Sequence, residues 1–280
     1  MPDASGAPRR PSTDFLVTKE HRRFVEFAEA CKREGYIGLC HGVPGVGKTM
    51  SARRFCSWDE TSQWIERPTW PTPDELAEPP ADLGVTNAVF WTPSVTVSPR
   101  NLDQQIMNLC HRYDLAADEK LQPEPAEKTW FTPRRWYVEL VVVDEADRLR
   151  TNALEMLRDI FDRHGVALIL IGMPGIEKKL ARYPQLYSRI GFAHRYNALT
   201  ADELRFVLEH HWERLGLSLS ADDFTDAEAV AAVARITGGN FRLVHRLFAQ
   251  IRRILDINQL TTVTAEVVEA ARETLVIGTN

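Results

Sequence analysis

The stretch that decides the fold is "CHGVPGVGKTMSARRF", residues 40–55, which places three glycines and a proline directly before a lysine and a threonine. Residues 42–49 match the pattern G-x-x-x-x-G-K-[ST]. Glycines let backbone N–H groups converge on phosphate oxygens, and a helix that begins at the lysine presents its positive end to the same anion. A Gly-rich turn with an exposed lysine is the alternative. The flanking strand and helix patterns favour a phosphate-binding loop.

This loop predicts ATP and Mg²⁺ as cofactors. Lys48 is expected to reach the β- and γ-phosphates as a point charge, and the hydroxyl of Thr49 is expected to ligate Mg²⁺. The predicted nucleotide-binding residues of the loop are Gly42, Val43, Pro44, Gly45, Val46, Gly47, Lys48, Thr49 and Met50.

Two acidic residues follow a second apolar run, "LVVV", in the stretch "VELVVVDEADRL". Asp144 and Glu145 therefore fall at the carboxyl end of a strand, where ligands bind in open parallel sheets. Asp144 is predicted to hold Mg²⁺, and Glu145 to orient and polarise the attacking water. The alternative, a helix N-cap with solvated acids, is weakened by the phosphate-binding loop in the same chain.

The apolar runs "YIGLC", "NAVFW", "LVVV" and "VALILIG" are continuous rather than alternating, and helical patterns separate them. Such runs predict an α/β fold with a parallel sheet flanked by helices. Residues 58–87 and 116–135 are expected to be irregular surface insertions. From Thr200 onward only helical patterns remain, and Thr200 with Glu203 forms a capping-box pattern.

The chain is accordingly divided into three predicted segments. Residues 1–14 form a disordered tail, residues 15–197 form the α/β nucleotide-binding core, and residues 198–280 form a small C-terminal all-helical lid.

Two arginines are candidates to stabilise charge at the γ-phosphate. Arg189, in "YSRIGF", precedes the last core strand, where a neighbouring subunit could receive it, and Arg182 is the runner-up. Arg242, in "GGNFR", begins a lid helix and could fold over the nucleotide of its own chain. A solvated arginine is the alternative for Arg189, and an ordinary helix-surface residue is the alternative for Arg242.

Composition places the chain among soluble globular proteins, with 44% hydrophobic and 26% charged residues. The longest apolar runs are far too short to span a bilayer, so no membrane partner is expected. The four cysteines form no C-x-x-C pair, which predicts free thiols and a cytoplasmic protein. A net charge of −5 argues against a broad basic surface, although a local basic groove can coexist with it.

Together, the loop, "VVVDEADRL", the arginine before the last strand and "GGNFR" resemble an AAA+ ATPase over residues 15–275. The stretches "YIGLCHGVPGVGKTMSARRF", "VELVVVDEADRLR" and "ILIGMPGIEKKLARYPQLYSRIGFAHRY" resemble the transposition-regulator branch, which includes TniB, TnsC and the Mu phage B protein. The resemblance implies an ATPase that oligomerises on double-stranded DNA as a ring or helical filament. It also implies target marking, recruitment or activation of a transposase, a target-selector protein as a further partner, and disassembly driven by ATP hydrolysis.

One departure from the family concerns Met173, which stands after the fourth strand where AAA+ proteins usually carry a polar sensor. This substitution predicts slow turnover. Thr92 could instead act as a polar switch that contacts Glu145, or it could be an ordinary strand-end threonine.

The resemblance also implies where DNA would be contacted, after the second strand and in the later insertion. Thr96, Arg100 and Lys120 are the predicted DNA-binding residues, with solvated surface groups as the alternative. The accompanying residues are Ser98, Lys128, Arg134 and Arg135. The tryptophans Trp58, Trp64 and Trp70 are either a partner surface or local core.

Two other functions remain open. An ATP-dependent loader or remodeller, such as a helicase-loader relative, would share the core but act on a protein. The third hypothesis is a nucleotide-bound scaffold that hardly hydrolyses ATP, and Met173 at the sensor position is consistent with it.

Overall fold

The computed structural model describes residues 15–66, 79–121, 135–220 and 222–275. The predicted tail and the predictions for Trp70, Lys128 and Arg134 lie outside these residues.

A five-stranded parallel sheet forms the centre of the core, which confirms the predicted fold class. Its order is β2-β3-β4-β1-β5, so β4 lies between β1 and β3. The strands are β1 (Ile37–His41), β2 (Ala88–Trp91), β3 (Leu140–Val143), β4 (Ala167–Gly172) and β5 (Ile190–Arg195). Every residue of β2, β3 and β4 is buried, because helices cover both faces of the sheet.

Seven helices accompany the sheet within the described residues. They are α1 (Lys19–Glu34), α2 (Lys48–Phe55), α3 (Trp58–Ile65), α4 (Pro99–Leu121), α5 (Thr151–His164), α6 (Ile176–Leu180) and α7 (Pro184–Tyr187), with a short 3₁₀ turn at Ala146–Arg148. Gly35 ends α1 in the left-handed conformation at φ 63°, which glycine adopts without steric cost.

The prediction of an irregular segment from residue 58 was wrong for α3. Trp58, Trp64 and Ile65 lie on one buried face of this helix, and Trp58 packs against Phe90 with ring centroids 6.4 Å apart. Trp58 and Trp64 thus belong to the core rather than to a partner surface. The second insertion also begins later than predicted, because buried Ala116 and Ala117 continue α4 to Leu121.

Up to residue 275, where the described part of the chain ends, four helices follow β5: α8 (Ala201–Arg214), α9 (Phe224–Thr237), α10 (Phe241–Asn258) and α11 (Ala265–Glu273). They pack around a hydrophobic cluster of their own that includes Trp212, Leu247 and Ile251. The predicted capping box is present, since the Thr200 side chain accepts from the Glu203 amide and the Glu203 side chain accepts from the Thr200 amide. The exact division of the chain at residues 197/198 stays a prediction.

The four cysteines are free, as predicted, and all four are buried. Burial raises the pKa of Cys31 and Cys110 to about 12, so these thiols are held protonated and unreactive at neutral pH. Across the described ranges, no helix is both long and apolar enough to cross a membrane.

Candidate nucleotide-binding site

The loop between β1 and α2 leaves consecutive backbone amides without acceptors. Among the described residues, the N–H groups of Gly45, Gly47 and Lys48 have no hydrogen-bond partner. Gly45 and Gly47 adopt φ of 84° and 116°, conformations that favour glycine. The loop therefore presents a cluster of N–H donors at the N-terminus of α2, which is the arrangement that binds phosphate.

Gly42 is required by a close approach to the end of β5. The residue is buried, and a Cβ atom there would clash with the backbone carbonyl oxygen of Tyr196. Since backbone atoms cannot give way as a flexible side chain can, only glycine fits at the point where the loop leaves β1.

The ammonium of Lys48 is held inside the loop. Its Nζ donates to the carbonyl oxygens of Gly42 at 2.6 Å and Val43 at 2.9 Å. Burial lowers the pKa of Lys48, with only 8% of the residue exposed. The charge is thus fixed at the loop and only partly screened by water, which strengthens its attraction for an anion.

Thr49 and Asp144 meet although they lie on different elements. The Thr49 hydroxyl donates to Asp144 Oδ2 at 2.7 Å, and the other carboxylate oxygen accepts from the Glu145 amide at 2.9 Å. The strands β1 and β3 end at the same edge of the sheet, with β4 between them, and this places the two oxygens together. A hydroxyl and a buried carboxylate are the hard oxygen ligands that suit Mg²⁺.

Glu145 follows Asp144 in the left-handed conformation, with φ 51°. A positive φ is unusual for a residue with a side chain and marks a constrained position. Its half-exposed carboxylate lines the cavity and pairs with Arg148. Thr92 is exposed, and within the described part of the chain no hydrogen bond joins it to Glu145.

Met173 lies at the end of β4 and lines the same cavity, as its sequence position predicts. Its backbone N–H donates to Asp147 Oδ1 at 3.2 Å, while 39% of the residue is exposed. This hydrogen bond connects the segment after β3 to the segment after β4. Asp147 was not among the residues predicted from the sequence. The carbonyl of Asp147 also accepts from Lys179 at 2.8 Å.

The lid reaches the loop at the start of α10. The Arg242 amide donates to the Gly45 carbonyl at 2.9 Å, and the Asn240 side chain donates to the Pro44 carbonyl at 2.8 Å. The structure thus brings Arg242, which lines the cavity, next to the loop. Asn240 is a contact that the sequence analysis missed.

A cavity of about 430 Å³ connects these groups. Residues 44–50 line it together with Asp144, Glu145, Met173 and Arg242, whereas Gly42 and Val43 act behind it through their carbonyls. This volume suits a small-molecule ligand.

One wall of the cavity is a buried hydrogen-bonded chain that no sequence pattern revealed. His21 Nδ1 lies 3.0 Å from Ser51 Oγ, which lies 2.7 Å from the Tyr196 hydroxyl. Burial lowers the pKa of His21 and raises that of Tyr196, so both rings are neutral at pH 7. The chain connects α1, α2 and the end of β5.

Arg189 does not line the cavity. It directly precedes β5 and therefore lies at the amino ends of the strands, whereas the loop lies at their carboxyl ends. Its guanidinium pairs with Asp162. The runner-up, Arg182, is exposed and also lies outside the cavity lining. In this conformation neither arginine lines the cavity of its own chain.

The DNA candidates differ in exposure. Thr96, Ser98 and Arg100 are exposed near the start of α4, and Arg135 is also exposed. Lys120 is committed elsewhere, because its ammonium donates to the carbonyls of Pro80 at 2.9 Å, Ala81 at 2.5 Å and Leu83 at 2.9 Å. These bonds give Lys120 a structural task at the end of α4 that competes with a phosphate contact.

Comparison with known proteins identifies similar chains. A family model described as "AAA domain" matches residues 31–180. A Staphylococcus aureus protein described as a potential ATP-binding protein is 45% identical over 267 residues, covering 95% of this chain and 97% of its own. The Mu-like prophage FluMu DNA transposition protein B of Haemophilus influenzae is 22% identical over 246 residues, 84% of this chain and 71% of its own.

Solved structures show the same architecture. The RuvB Holliday junction branch migration motor of Thermotoga maritima superposes with a TM-score of 0.56 at 18% identity, covering 93% of this chain and 70% of its own. At this identity the likeness concerns the fold, a parallel sheet flanked by helices and followed by a helical lid.

Proposed function

The chain belongs to the AAA domain family, and from that premise we propose that it is an ATPase that regulates DNA transposition. The proposal that the chain binds a nucleotide with Mg²⁺ rests on one observation above all. The Thr49–Asp144 hydrogen bond places a hydroxyl and a carboxylate beside the unpaired amides of the phosphate loop.

In the proposed complex, the amides of the loop and the Lys48 ammonium bind the β- and γ-phosphates of ATP. The oxygens of Thr49 and Asp144 hold Mg²⁺, either directly or through its water ligands. Mg²⁺, when bound, neutralises part of the phosphate charge. The deep burial of Asp144, which is 5% exposed, keeps its carboxylate in place for this task.

For hydrolysis, we assign the general base to Glu145. Its carboxylate accepts a proton from the attacking water after exchanging the Arg148 pairing for that water. Arg242 approaches the γ-phosphate from the lid of the same chain, and Arg189 approaches it from a neighbouring subunit. The Met173 thioether is only a weak hydrogen-bond acceptor, so it cannot fix the water or γ-phosphate as a polar side chain would. Turnover is therefore slow and depends on assembly.

Two observations support a role on DNA. The FluMu relative carries a DNA transposition function in its name, and Thr96 and Arg100 are exposed near the start of α4. Each such contact is weak, but a ring or filament repeats it along the duplex, so multivalency supplies the affinity that a net charge of −5 would otherwise oppose. Lys120 is omitted from this proposal because three carbonyls already engage it.

The proposed cycle begins when ATP binding drives homo-oligomerisation on double-stranded DNA. The assembly then marks the target and recruits or activates a transposase, with or without a target-selector protein. Hydrolysis, completed by Arg189 across subunit interfaces, disassembles it. Arg189 lies at the amino ends of the strands, away from the loop of its own chain, and this position supports a role at the nucleotide site of a second subunit.

The test uses the full chain with Mg-ATP and a duplex of arbitrary sequence at low salt, followed by electron microscopy and sedimentation. Wild-type protein is expected to form rings or filaments only with nucleotide, Glu145→Gln to stabilise them, and Lys48→Ala to prevent them. Binding of ATP without assembly on DNA would favour a loader that acts on a protein. A turnover rate unchanged by Glu145→Gln would favour a scaffold that hardly hydrolyses ATP.

A further inference from the structure

Asn240 makes two hydrogen bonds with its side chain. Its Oδ1 accepts from the Leu243 amide at 3.2 Å, which caps the N-terminus of α10, and its Nδ2 donates to the Pro44 carbonyl at 2.8 Å. A single side chain thus joins the first turn of a lid helix to the phosphate loop.

A second bond runs beside the first. The Arg242 amide donates to the Gly45 carbonyl at 2.9 Å. The carbonyls of Pro44 and Gly45, two successive peptide units, therefore both face the start of α10.

This orientation fixes the amides as well. In a planar trans peptide, the N–H points away from the C=O of the same unit. Carbonyls that face α10 turn the N–H groups of Gly45 and Val46 away from it, and the Gly45 amide has no acceptor among the described residues.

The close approach depends on the absence of a side chain at residue 45. A Cβ atom on Gly45 would clash with Asn240 Oδ1 and lie 2.9 Å from the Cβ of Arg242. Gly45 also has a φ of 84°. The loop and the cap of α10 are therefore fitted to each other.

We propose that Asn240 is a positioning residue of the nucleotide site: its carboxamide, with the Arg242 amide, holds the loop so that the amides of Gly45 and Val46 face the phosphates. This inference rests on the proposed nucleotide binding, but not on any role in transposition. Coupling between two sites is reciprocal, so bound phosphate also holds the start of α10 against the loop.

The substitution Asn240→Asp separates the two bonds. Aspartate keeps an acceptor for the helix cap, because Asp and Asn are equally good N-caps. It removes the donor to Pro44 and sets a negative charge against that carbonyl. We expect the Kd for Mg-ADP, measured by calorimetry, to rise about tenfold, while urea unfolding changes little.

A matched control is Thr264→Ala, which removes the N-cap of α11 elsewhere in the lid. This variant is expected to lower the free energy of unfolding and leave the Kd for Mg-ADP unchanged. If Thr264→Ala weakens Mg-ADP binding as much as Asn240→Asp does, the effect is general loosening of the lid and the inference is wrong.

Hydrogen exchange supplies a readout independent of affinity. Saturating Mg-ADP is expected to slow amide exchange at the start of α10 in the wild type, and to slow it much less in Asn240→Asp. Equal affinity and equal protection in the two proteins would overturn the inference alone. Failure of the wild-type protein to bind Mg-ADP would instead overturn the proposed function.

Discussion

Arg189 and Asp162 form a two-point ion pair. The Nε atom donates to Oδ1 at 2.6 Å and Nη2 donates to Oδ2 at 2.8 Å, which joins the start of β5 to α5. The hydrogen bond from Arg189 lowers the pKa of the Asp162 carboxyl below its ordinary value. Arg158 also donates to this carboxylate, at 2.7 Å, so Asp162 keeps one cationic partner when Arg189 leaves.

Replacing Arg189 by alanine is expected to reduce turnover in the assembled state by about a thousandfold or more, the range for arginines supplied in trans. The Kd for Mg-ADP should not change, since Arg189 lies outside the cavity of its own chain. Loss of this partly exposed pair should lower the free energy of unfolding by only about 1 kcal/mol or less.

Mixing experiments give the decisive control for Arg189. When the Arg189→Ala protein and the Glu145→Gln protein are mixed, part of the turnover should return. At some interfaces of the mixed assembly, the intact arginine of a Glu145→Gln subunit then faces the intact glutamate of an Arg189→Ala subunit. If Arg182→Ala abolishes turnover and Arg189→Ala does not, the assignment passes to Arg182.

The substitution Gly42→Ala is expected to lower the free energy of unfolding by about 1–3 kcal/mol, the range for overpacking. It should also weaken Mg-ADP binding, because the new Cβ would clash with the Tyr196 carbonyl and displace the loop. Urea unfolding and calorimetry measure the two effects. Gly165→Ala is the control, since its Cβ meets nothing within 4 Å but its φ of 64° imposes strain. It should destabilise the protein without affecting affinity, and equal losses of affinity in both variants would contradict the explanation.

Asp114 is expected to make stability depend on pH. Burial raises its pKa to about 6, although its Oδ1 accepts from the amides of Tyr137 and Val138 at 2.6 and 3.0 Å. Because the folded pKa exceeds the unfolded value of about 4, this group favours folding most below that value. The contribution is lost as the pH rises from about 4 to about 6.

A carboxamide at this position would mimic the neutral carboxyl, so the variant Asp114→Asn should lack this pH dependence. The difference in free energy of unfolding, variant minus wild type, is expected to grow by about 2 kcal/mol between pH 4 and pH 7. Urea titrations at intermediate pH values measure it. A difference independent of pH would show that Asp114 titrates normally.

Glu203 links the core to the lid. Its Oε1 accepts from the Glu20 amide at 3.0 Å, and its Oε2 accepts from the Thr200 amide at 3.0 Å. Burial raises the pKa of the Glu203 carboxyl, but hydrogen bonds from Thr200 and Glu20 outweigh this effect and lower it. A depressed folded pKa stabilises the protein above the unfolded value, and this stabilisation is lost as the pH falls.

Accordingly, Glu203→Gln should lower the free energy of unfolding at pH 7 by about 1–2 kcal/mol. The difference in the free energy of unfolding between the variant and the wild type should become smaller as the pH falls below about 4.5. Glu209→Gln, on the same helix but exposed, serves as the control and should have little effect. A gap that stays constant at low pH would argue for a purely steric effect.

The sequence predicted the centre of the site because its chemistry is contiguous. Lys48 and Thr49 belong to one motif, Asp144 ends an apolar run, and the carboxyl ends of parallel strands meet at one edge. The helix α3 was missed because Pro68 and the prolines after it dominate that stretch, although α3 ends at Ile65, before the first of them.

The remaining contacts join residues that no short pattern connects. Asn240 and Pro44 are 196 positions apart, and Ser51 and Tyr196 are 145 apart. Such pairs depend on how polar side chains pack once the sheet and lid have formed. Lys120 shows the same limit, since its three carbonyl acceptors lie in a loop about 40 residues earlier.

The place of β4 between β1 and β3 has a consequence for synthesis of the chain. Chains emerge from the ribosome N-terminus first, and pairing between distant strands is slow. Thr49 and Asp144 are both made before β4, and in the folded sheet β4 lies between the two strands that precede them. A nascent chain that ends at α5 therefore carries both side chains that we propose to bind Mg²⁺ but lacks the strand that sets the distance between them, and we expect it to gain affinity for nucleotide only after β4 has been added.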